Sequence, residues 1–361
     1  MTLLVPRPGI LDIRAYVGGE SAIPGREKVI KLASNENAFG PSPLAVEAMQ
    51  AALATAHRYP DGGCTRLRRE IGAREGIDPA QIVCGAGSDD IIQLLARAYA
   101  GADDEVLYTE HGFLIYPIAA RSVGAQPIAV AERELTADVD ALLAHVTART
   151  RIVFLANPNN PTGSYLPATE MARLREHLPA GVLLVIDAAY AEFVDAPDYS
   201  TGAELVATGN VVVTRTFSKI HGLGGLRVGW GYCPPDVADV LNRLRGPFNV
   251  SSIGQAAALG ALADSAFVAH LAAHNARWRR WLTDELRDLG LVVPESAGNF
   301  VLARFPANSG RDAVAADAYL KGEGIIVRRV AAYGLPDCLR ISIGREDEVR
   351  AVASALAAFL R

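Results

Sequence analysis

Lys219 lies in a segment whose residue types could hold a phosphate-bearing cofactor through a covalent bond. Thr216 and Ser218 precede it, and the glycine-rich run 222–227 that follows ends in Arg227. A lysine amine can form an imine with an aldehyde, while hydroxyls, free backbone amides and a guanidinium bind phosphate. The apolar run 211–213 leads into this segment and 228–232 leads out, so we predict a strand on each side.

Two other apolar runs also end in polar residues. Residues 182–186 precede Asp187 and Tyr190, and residues 151–156 precede Asn157. Open α/β sheets bind ligands at the carboxyl ends of their strands, so we expect these groups to converge on Lys219. A carboxylate opposite a pyridine nitrogen keeps that nitrogen protonated and makes the ring an electron sink. Tyr190 and Asn157 could donate hydrogen bonds to a phenolate oxygen on the same ring.

Other motifs have weaker or more ordinary interpretations. Residues 85–90 could bind an anion at a helix N-terminus, but Ser88 alone could equally be a helix cap. The run 222–227 lacks the G-x-G-x-x-G spacing, which disfavours a dinucleotide site. His270 and His274 are four residues apart, yet arginines surround them and no third ligand is near, so we predict no metal site.

Composition narrows the class of protein. The chain has 361 residues, a net charge of −5 and 21% charged residues, with no basic block of useful length. We therefore expect neither a nucleic acid nor a membrane partner, and the N-terminus shows no secretory signal. The four cysteines are scattered, which favours reduced thiols in a cytoplasmic protein; they are Cys64, Cys84, Cys233 and Cys338.

The order of elements predicts an α/β fold with two domains. Strand-like and helical segments alternate from 43 to 232, which favours a mainly parallel sheet flanked by helices, and Ser42 should cap the first helix. A long helical region covers 254–289, and three short strands and a final helix from Glu346 follow it. We predict an N-terminal arm (1–42) that joins the small domain, a large cofactor-binding domain (43–253) and a small α+β domain (254–361).

In order and spacing, these motifs resemble the fold-type I pyridoxal-phosphate-dependent aminotransferases, and most closely the histidinol-phosphate aminotransferase family. The resemblance covers nearly the whole chain. Its motifs are Asn35-Glu36-Asn37 with 40–43, then 58–61, 85–90, 157–163, 187–190, Ser218-Lys219 and 333–344.

The resemblance implies roles for the residues around the cofactor, pyridoxal 5'-phosphate. Lys219 is the Schiff-base lysine, Asp187 the partner of the pyridinium, and Asn157 and Tyr190 the ligands of the phenolate oxygen. Tyr59 reaches the phosphate of the other subunit's cofactor, which implies a homodimer. The resemblance assigns stacking on the ring to Phe113, and the phosphate cup to Ala86, Gly87, Ser88, Thr216, Ser218 and Arg227.

On the substrate side, the resemblance implies that Arg340 grips a carboxylate with help from Arg328, and that Tyr16 and Asn37 complete this end. Three positions depart from the common family pattern. Phe113 stands where a tyrosine is frequent, Asp90 where glutamate is usual, and Ala38 where a proline often follows Asn37.

The implied activity is amino transfer between L-histidinol phosphate and 2-oxoglutarate, a step of histidine biosynthesis, with glutamate as the other amino compound. Related alternatives are an aromatic amino-acid aminotransferase and a phosphothreonine decarboxylase. A non-catalytic protein that binds the cofactor as a ligand is an alternative of a different class. Addition of glutamate separates the last case, because only an enzyme loses its imine absorbance.

Overall fold

The computed structural model describes residues 4–307 and 310–361. Within them the strands are β1 Ile30–Leu32, β2 Ile82–Gly85, β3 Glu105–Thr109, β4 Gln126–Val130, β5 Glu132–Arg133, β6 Thr136–Ala137, β7 Thr150–Ala156, β8 Leu183–Asp187, β9 Val211–Thr216, β10 Gly229–Tyr232, β11 Phe300–Arg304, β12 Ile325–Arg329 and β13 Cys338–Ser342. The helices are α1 Pro43–Leu53, α2 Thr65–Glu75, α3 Ser88–Tyr99, α4 Ile115–Ser122, α5 Val139–Ala144, α6 Ala168–His177, α7 Pro235–Leu244, α8 Ser252–Ala263, α9 Ser265–Asp288, α10 Ala313–Gly322 and α11 Glu346–Leu360.

The large sheet has the strand order β2-β10-β9-β8-β7-β3-β4. The pairs from β9 to β4 are parallel, and β10 is antiparallel to both of its neighbours. Strands β7, β8 and β9 therefore end at the same edge of the sheet. That edge carries the segments that follow residues 156, 187 and 216, so the convergence expected from the sequence is built into the strand order.

Strand β8 shows why this sheet is covered on both faces. Leu183 and Val185 pack in one core cluster with residues of α3, α4 and α7, whereas Leu184 and Ile186 pack in another with residues of α5 and α6. Successive side chains of a strand point to opposite faces, so a continuous apolar run such as this one needs helices on both sides. The predicted α/β architecture is confirmed.

A second sheet, of order β1-β12-β13-β11, packs against α9, α10 and α11. Strand β1 comes from the N-terminal arm and pairs in parallel with β12. The arm thus contributes a strand to the sheet formed by the C-terminal part of the chain.

The expected helical region 254–289 consists of two helices, because the chain bends by 77° between α8 and α9. Asp264 ends the first helix and caps the second, where its carboxylate accepts a hydrogen bond from the amide of Phe267. Among the described residues no single helix is long and apolar enough to cross a membrane, and only the bent pair α8 and α9 passes that test by length and composition.

The division into domains remains a prediction, but the packing of α8 bears on its boundary. Ala257, Ala258 and Ala261 of α8 share a core cluster with Ala45 of α1 and Leu67 of α2. Helix α9 instead contributes to the core of the small sheet. On packing, α8 therefore goes with the large sheet, and the proposed boundary moves from 253 to the bend at Asp264.

Candidate active site

A cavity of about 190 Å³ opens at the carboxyl edge of the large sheet. Its walls come from the segments after β7, β8 and β9, the first turn of α3, the N-terminal arm, and strands β12 and β13. The strand ends position groups on one side of the cavity, and the arm and the small sheet close the other side.

Asp187 is the last residue of β8, and only 5% of its surface is exposed. Its register partner on β9 is Thr214, whose hydroxyl donates to Oδ1 at 2.9 Å. The Tyr116 hydroxyl donates to Oδ2 at 2.9 Å, and the Tyr116 ring stacks on Phe154 of β7. Asp187 is therefore held by two hydroxyls at the wall of the cavity.

Burial raises the pKa of Asp187 to about 6, although hydrogen bonds from Thr214 and Tyr116 act in the opposite direction. Asp187 makes no salt bridge with any residue that the structure describes. A buried carboxylate without a salt-bridge partner is stabilised in its charged form by any cation that enters the cavity. The site therefore favours a ligand with a protonated nitrogen at this position.

Lys219 lies in a tight turn after β9. Its carbonyl accepts from the amide of Gly222, whose φ of +69° favours glycine, and a Cβ at Gly222 would lie 2.4 Å from the carbonyl oxygen of Gly40. The side chain of Lys219 enters the cavity, with Nζ 5.6 Å from the centre of the Tyr190 ring. The turn thus holds the amine beside Tyr190, three residues after the end of β8.

Three side chains predicted to hold the phosphate lie near Arg227. Its guanidinium donates to Ser218 Oγ at 3.2 Å and to the carbonyl of Gly224 at 2.9 Å, and it lies 3.4 Å from Asp89. Ser88 and Thr216 line the same end of the cavity. Gly87 has a φ of +89°, and a Cβ there would stand 2.3 Å from the Arg227 guanidinium, so glycine leaves room for this arginine.

The amides assigned to the cup need correction. The Ala86 amide donates to Asp90 at 2.9 Å, and the Gly87 amide donates to the carbonyl of Gly85 at 2.8 Å. Neither is available to an anion. The first turn of α3 instead offers the amides of Ser88 and Asp89, which have no acceptor within the helix.

Asn157 is not where the sequence interpretation placed it. Its side chain is completely buried, accepts from the amide of Leu166 at 2.7 Å and donates to the same residue's carbonyl at 3.1 Å. It therefore ties together its own loop and does not line the cavity. Asn160 lines the cavity and accepts a hydrogen bond from Arg340. In the sequence, Asn160 could have been identified by its position directly before Pro161-Thr162-Gly163.

A similar correction applies to Asn37. Its amide donates to the carbonyl of Ile220 at 2.8 Å and its oxygen accepts from the amide of Phe39 at 3.0 Å, so it anchors the Lys219 turn from outside the cavity. Asn35 takes the position inside the cavity and donates to the Tyr190 hydroxyl at 2.9 Å. Tyr190 itself is buried and lines the cavity as predicted.

Two arginines form the far end of the cavity. Arg328 of β12 and Arg340 of β13 are register partners on antiparallel strands, an arrangement that is unfavourable for like charges. Burial lowers the pKa of Arg340, and its Nε has no hydrogen-bond partner among the described residues. An anion bound here would offset the like charges of the two arginines and could accept a hydrogen bond from Arg340 Nε. Arg328 donates to the carbonyls of Val17 and Gly18, each at 2.6 Å.

Three aromatic residues were predicted to belong to the site. Phe113 lies in the wall, and Tyr16 of the arm meets it edge-on with ring centres 6.4 Å apart. Tyr59 is 82% exposed and lies outside the cavity of its own chain, where it stacks on the partly exposed ring of Phe248.

The described residues contain no group of three or more side chains that could hold a metal ion.

These groups fit pyridoxal phosphate. The buried carboxylate of Asp187 suits a pyridinium nitrogen, and the guanidinium and hydroxyls of the cup around Arg227 suit a phosphate. Lys219 lines the same cavity, where its amine can reach an aldehyde. A mostly parallel sheet with this set of groups at its carboxyl edge defines the class, the fold-type I pyridoxal-phosphate-dependent aminotransferases.

Comparisons with known proteins define the family more closely. The sequence model of aminotransferase class I and II matches residues 27–356. The chain is 59% identical over 361 residues to histidinol-phosphate aminotransferase of Paramagnetospirillum magneticum, covering 100% of this chain and 99% of the relative. It is 59% identical over 358 residues to the protein of the same name from Rhodospirillum centenum, covering 99% of each.

Among solved structures, the crystal structure of histidinol-phosphate aminotransferase from Sinorhizobium meliloti in complex with pyridoxal-5'-phosphate superposes with a TM-score of 0.91. The two chains are 29% identical, with 100% of this chain and 99% of the other covered. The chain belongs to the histidinol-phosphate aminotransferase family.

The raised pKa of Asp187 predicts a pH-dependent effect on the stability of the cofactor-free protein. An aspartate has a pKa of 3.8 when unperturbed, and burial raises that of Asp187 to about 6. Its contribution to stability is therefore full below pH 3.8 and is lost as pH rises through 6. Relative to wild type, Asp187→Asn should gain stability between pH 4 and pH 7, by at most about 3 kcal/mol.

Urea unfolding of both cofactor-free proteins at several pH values measures this difference. Because all other titrating groups are shared, the gap between the two proteins reports on Asp187. A gap that stays constant from pH 4 to pH 7 would show that the pKa of this carboxyl is not raised.

Proposed function

We propose that the protein transfers an amino group between L-histidinol phosphate and 2-oxoglutarate. The observation that carries this proposal is that Lys219 lines one cavity together with Asp187, the Arg227 cup and the arginine pair 328 and 340. The names of the relatives at 59% identity support the choice of substrate. We assign the protein to histidine biosynthesis on the same ground.

When bound, pyridoxal phosphate supplies an aldehyde that takes up the amino group and a ring that accepts charge from the substrate carbon. Arg227, Ser88, Thr216 and Ser218 hold its phosphate, and Asp187 keeps a proton on the ring nitrogen. Lys219 would anchor the cofactor, and its Nζ would then take the proton from the substrate carbon and deliver it to the carbon that carried the aldehyde.

Tyr190 and Asn160 are the donors that we assign to the phenolate oxygen. Asn160 replaces Asn157 in this role because its Oδ1 already accepts from Arg340, which leaves its amide group free to donate into the cavity. The same contact joins this donor to the residue that we assign to the substrate carboxylate.

We propose a homodimer in which Tyr59 completes the partner's phosphate cup. Tyr59 and Phe248 form a stacked aromatic pair on the surface, with ring centres 4.7 Å apart, and exposed apolar groups of this kind often mark an interface. We also propose a cytoplasmic location, which the four buried free cysteines support.

The proposed activity is tested by half-reactions of the purified holoenzyme with histidinol phosphate, glutamate, phenylalanine and tyrosine. We expect the first two to remove the visible absorbance of the cofactor at the lowest concentrations. Lys219→Ala should abolish turnover, since loss of a general base alone typically costs ~10²–10⁴-fold and the anchor is lost with it.

Each other result has a definite meaning. A preference for phenylalanine or tyrosine would favour the aromatic aminotransferase, and no response to any amine would favour a non-catalytic binding protein. Near-normal turnover by Lys219→Ala would remove this lysine from the mechanism.

Arg340→Lys tests the substrate end, with Arg328→Lys as its matched partner on the neighbouring strand. Lysine keeps the charge but cannot make the planar two-bond contact with a carboxylate. Loss of one hydrogen bond to a charged group weakens binding roughly ten- to a hundredfold, so the glutamate half-reaction of Arg340→Lys should need correspondingly more substrate.

The histidinol phosphate half-reaction identifies the residue that holds the phosphate. It weakens in Arg340→Lys if one guanidinium serves both anions, and in Arg328→Lys if the neighbouring arginine takes the phosphate. Unchanged half-saturation of Arg340→Lys by both substrates would place this residue outside the substrate site.

The dimer proposal is tested by mixing two inactive variants, Tyr59→Ala and Lys219→Ala, under conditions that exchange subunits. A mixed dimer has one site with an intact lysine and an intact tyrosine. Random exchange should therefore restore roughly a quarter of wild-type activity per subunit. A mixture of Lys219→Ala with itself is the control, and no recovery despite demonstrated exchange would contradict the shared site.

A further inference from the structure

Asn35 has contacts that no role assigned so far explains. It is 1% exposed and lies where the arm passes between the large sheet and the small sheet. We infer that Asn35 is a positioning residue that directs the proton of the Tyr190 hydroxyl into the cavity. This inference rests on the proposed role of Tyr190 as a donor to the cofactor.

The contact with Tyr190 is direct. Asn35 Nδ2 lies 2.9 Å from the Tyr190 oxygen, and only 4% of Tyr190 is exposed. A tyrosine hydroxyl has one proton to donate. Because the oxygen accepts from Asn35 on the arm side, the proton of Tyr190 is left to point elsewhere, and the cavity is the side on which Lys219 lies.

Ser342 determines which way the Asn35 amide faces. The Ser342 hydroxyl accepts from the backbone amide of Asn35 and donates to Asn35 Oδ1, each at 2.9 Å. With Oδ1 held by this hydroxyl, the amide nitrogen must face Tyr190. If the amide were reversed, its NH₂ group would face Ser342, and Tyr190 would have to donate its proton to Asn35.

The backbone of Asn35 is fixed as well. Its φ of +53° is in the left-handed region, which asparagine and glycine tolerate best. Its carbonyl accepts from Asn299 Nδ2 at 3.0 Å. Four hydrogen bonds therefore hold one buried residue, and the one that leads toward the cavity goes to Tyr190.

The same arm segment contacts the substrate end. Arg340 and Ser342 are two residues apart on β13 and so share a face of the strand. Arg340 donates to the carbonyl of Ala33 at 2.7 Å, while Ser342 bonds Asn35. Residues 33–35 thus run along β13 and join the arginine that we assign to the substrate carboxylate to the residue that orients Tyr190.

Loss of this orientation should change how the bound cofactor titrates. A hydrogen bond from Tyr190 to the phenolate oxygen stabilises the form of the site that has lost its proton. A weaker bond therefore raises the pH midpoint of the visible absorbance. The charged groups that line the same cavity are Asp89, Asp187, Lys219, Arg227, Arg328 and Arg340. None of them is changed in the variants of the following experiment.

The experiment titrates the absorbance of four holoenzymes: wild type, Asn35→Gly, Tyr190→Phe and the double variant. Glycine accepts the left-handed backbone, so Asn35→Gly removes the side-chain contacts with little backbone strain. Tyr190→Phe should raise the midpoint by on the order of one pH unit, and Asn35→Gly by about half of that. The double variant should match Tyr190→Phe.

Two outcomes overturn the inference but not the proposed role of Tyr190: an unchanged midpoint in Asn35→Gly, or a further full shift when Asn35→Gly is added to Tyr190→Phe. The second would mean that Asn35 acts on the site without Tyr190. If Tyr190→Phe itself leaves the midpoint unchanged, the proposed role of Tyr190 fails and the inference fails with it. These results are distinguishable because each variant is measured alone.

Asn210→Gly is the matched control, since Asn210 has the same φ of +53° but lies just before β9, remote from the cavity. Its midpoint should equal that of wild type. Should Asn35→Gly fail to fold, Ser342→Ala provides the second variant, because it removes the hydroxyl that orients the Asn35 amide. It should raise the midpoint by a smaller amount, and no change would count against the inference.

Discussion

The buried carboxylate of Asp187 is the constraint on which the rest of the site depends. Two hydroxyls hold it, yet it makes no salt bridge with the described residues, and burial raises its pKa to about 6. A group in that state lowers the stability of the empty protein at neutral pH, and a cation in the cavity offsets the loss. Arg227 at one end and the pair 328 and 340 at the other place positive charge where anions must bind. The charges thus select a ligand with a cation in its middle and anions at both ends.

Much of this arrangement could be predicted from the sequence, because it follows from strand order. Polar residues directly after apolar runs must lie at the carboxyl edge when the strands are parallel, and this locates Asp187 and the Lys219 turn without further information. Arg227 and Arg340 were identified through their motifs, and both line the cavity. Asp187 and Lys219 lie at, or shortly after, parallel strands whose direction follows from the alternation of helices and strands. Arg340 lies instead within β13, an antiparallel strand of the small sheet, and was found only through its motif.

The incorrect site assignments lie in loops, where the spacing of residues in the sequence does not determine which way a side chain or an amide points. Asn157 and Asn160 are three residues apart in one loop, and tertiary hydrogen bonds decide that the first ties to Leu166 while the second enters the cavity. In the same way, Asn37 donates to Ile220 outside the cavity, whereas Asn35 donates to Tyr190 inside it. The Ala86 amide was excluded by the carboxylate of Asp90, four residues ahead, whose hydrogen bond closes the loop before α3. Side chains that satisfy their own loop and side chains that serve a ligand have the same composition.

The N-terminal arm explains why the small sheet belongs to the site at all. Strand β1 adds to β12 as the edge strand of that sheet, and the three residues after it run past Arg340 and Ser342 to reach Tyr190. A shift of β13 relative to the large sheet would therefore strain the Arg340 contact and the Asn35 contacts together. Since Arg340 also bonds Asn160, the groups at the substrate end and the two donors at the cofactor end share one set of hydrogen bonds. The two ends of the cavity are therefore physically linked through the arm.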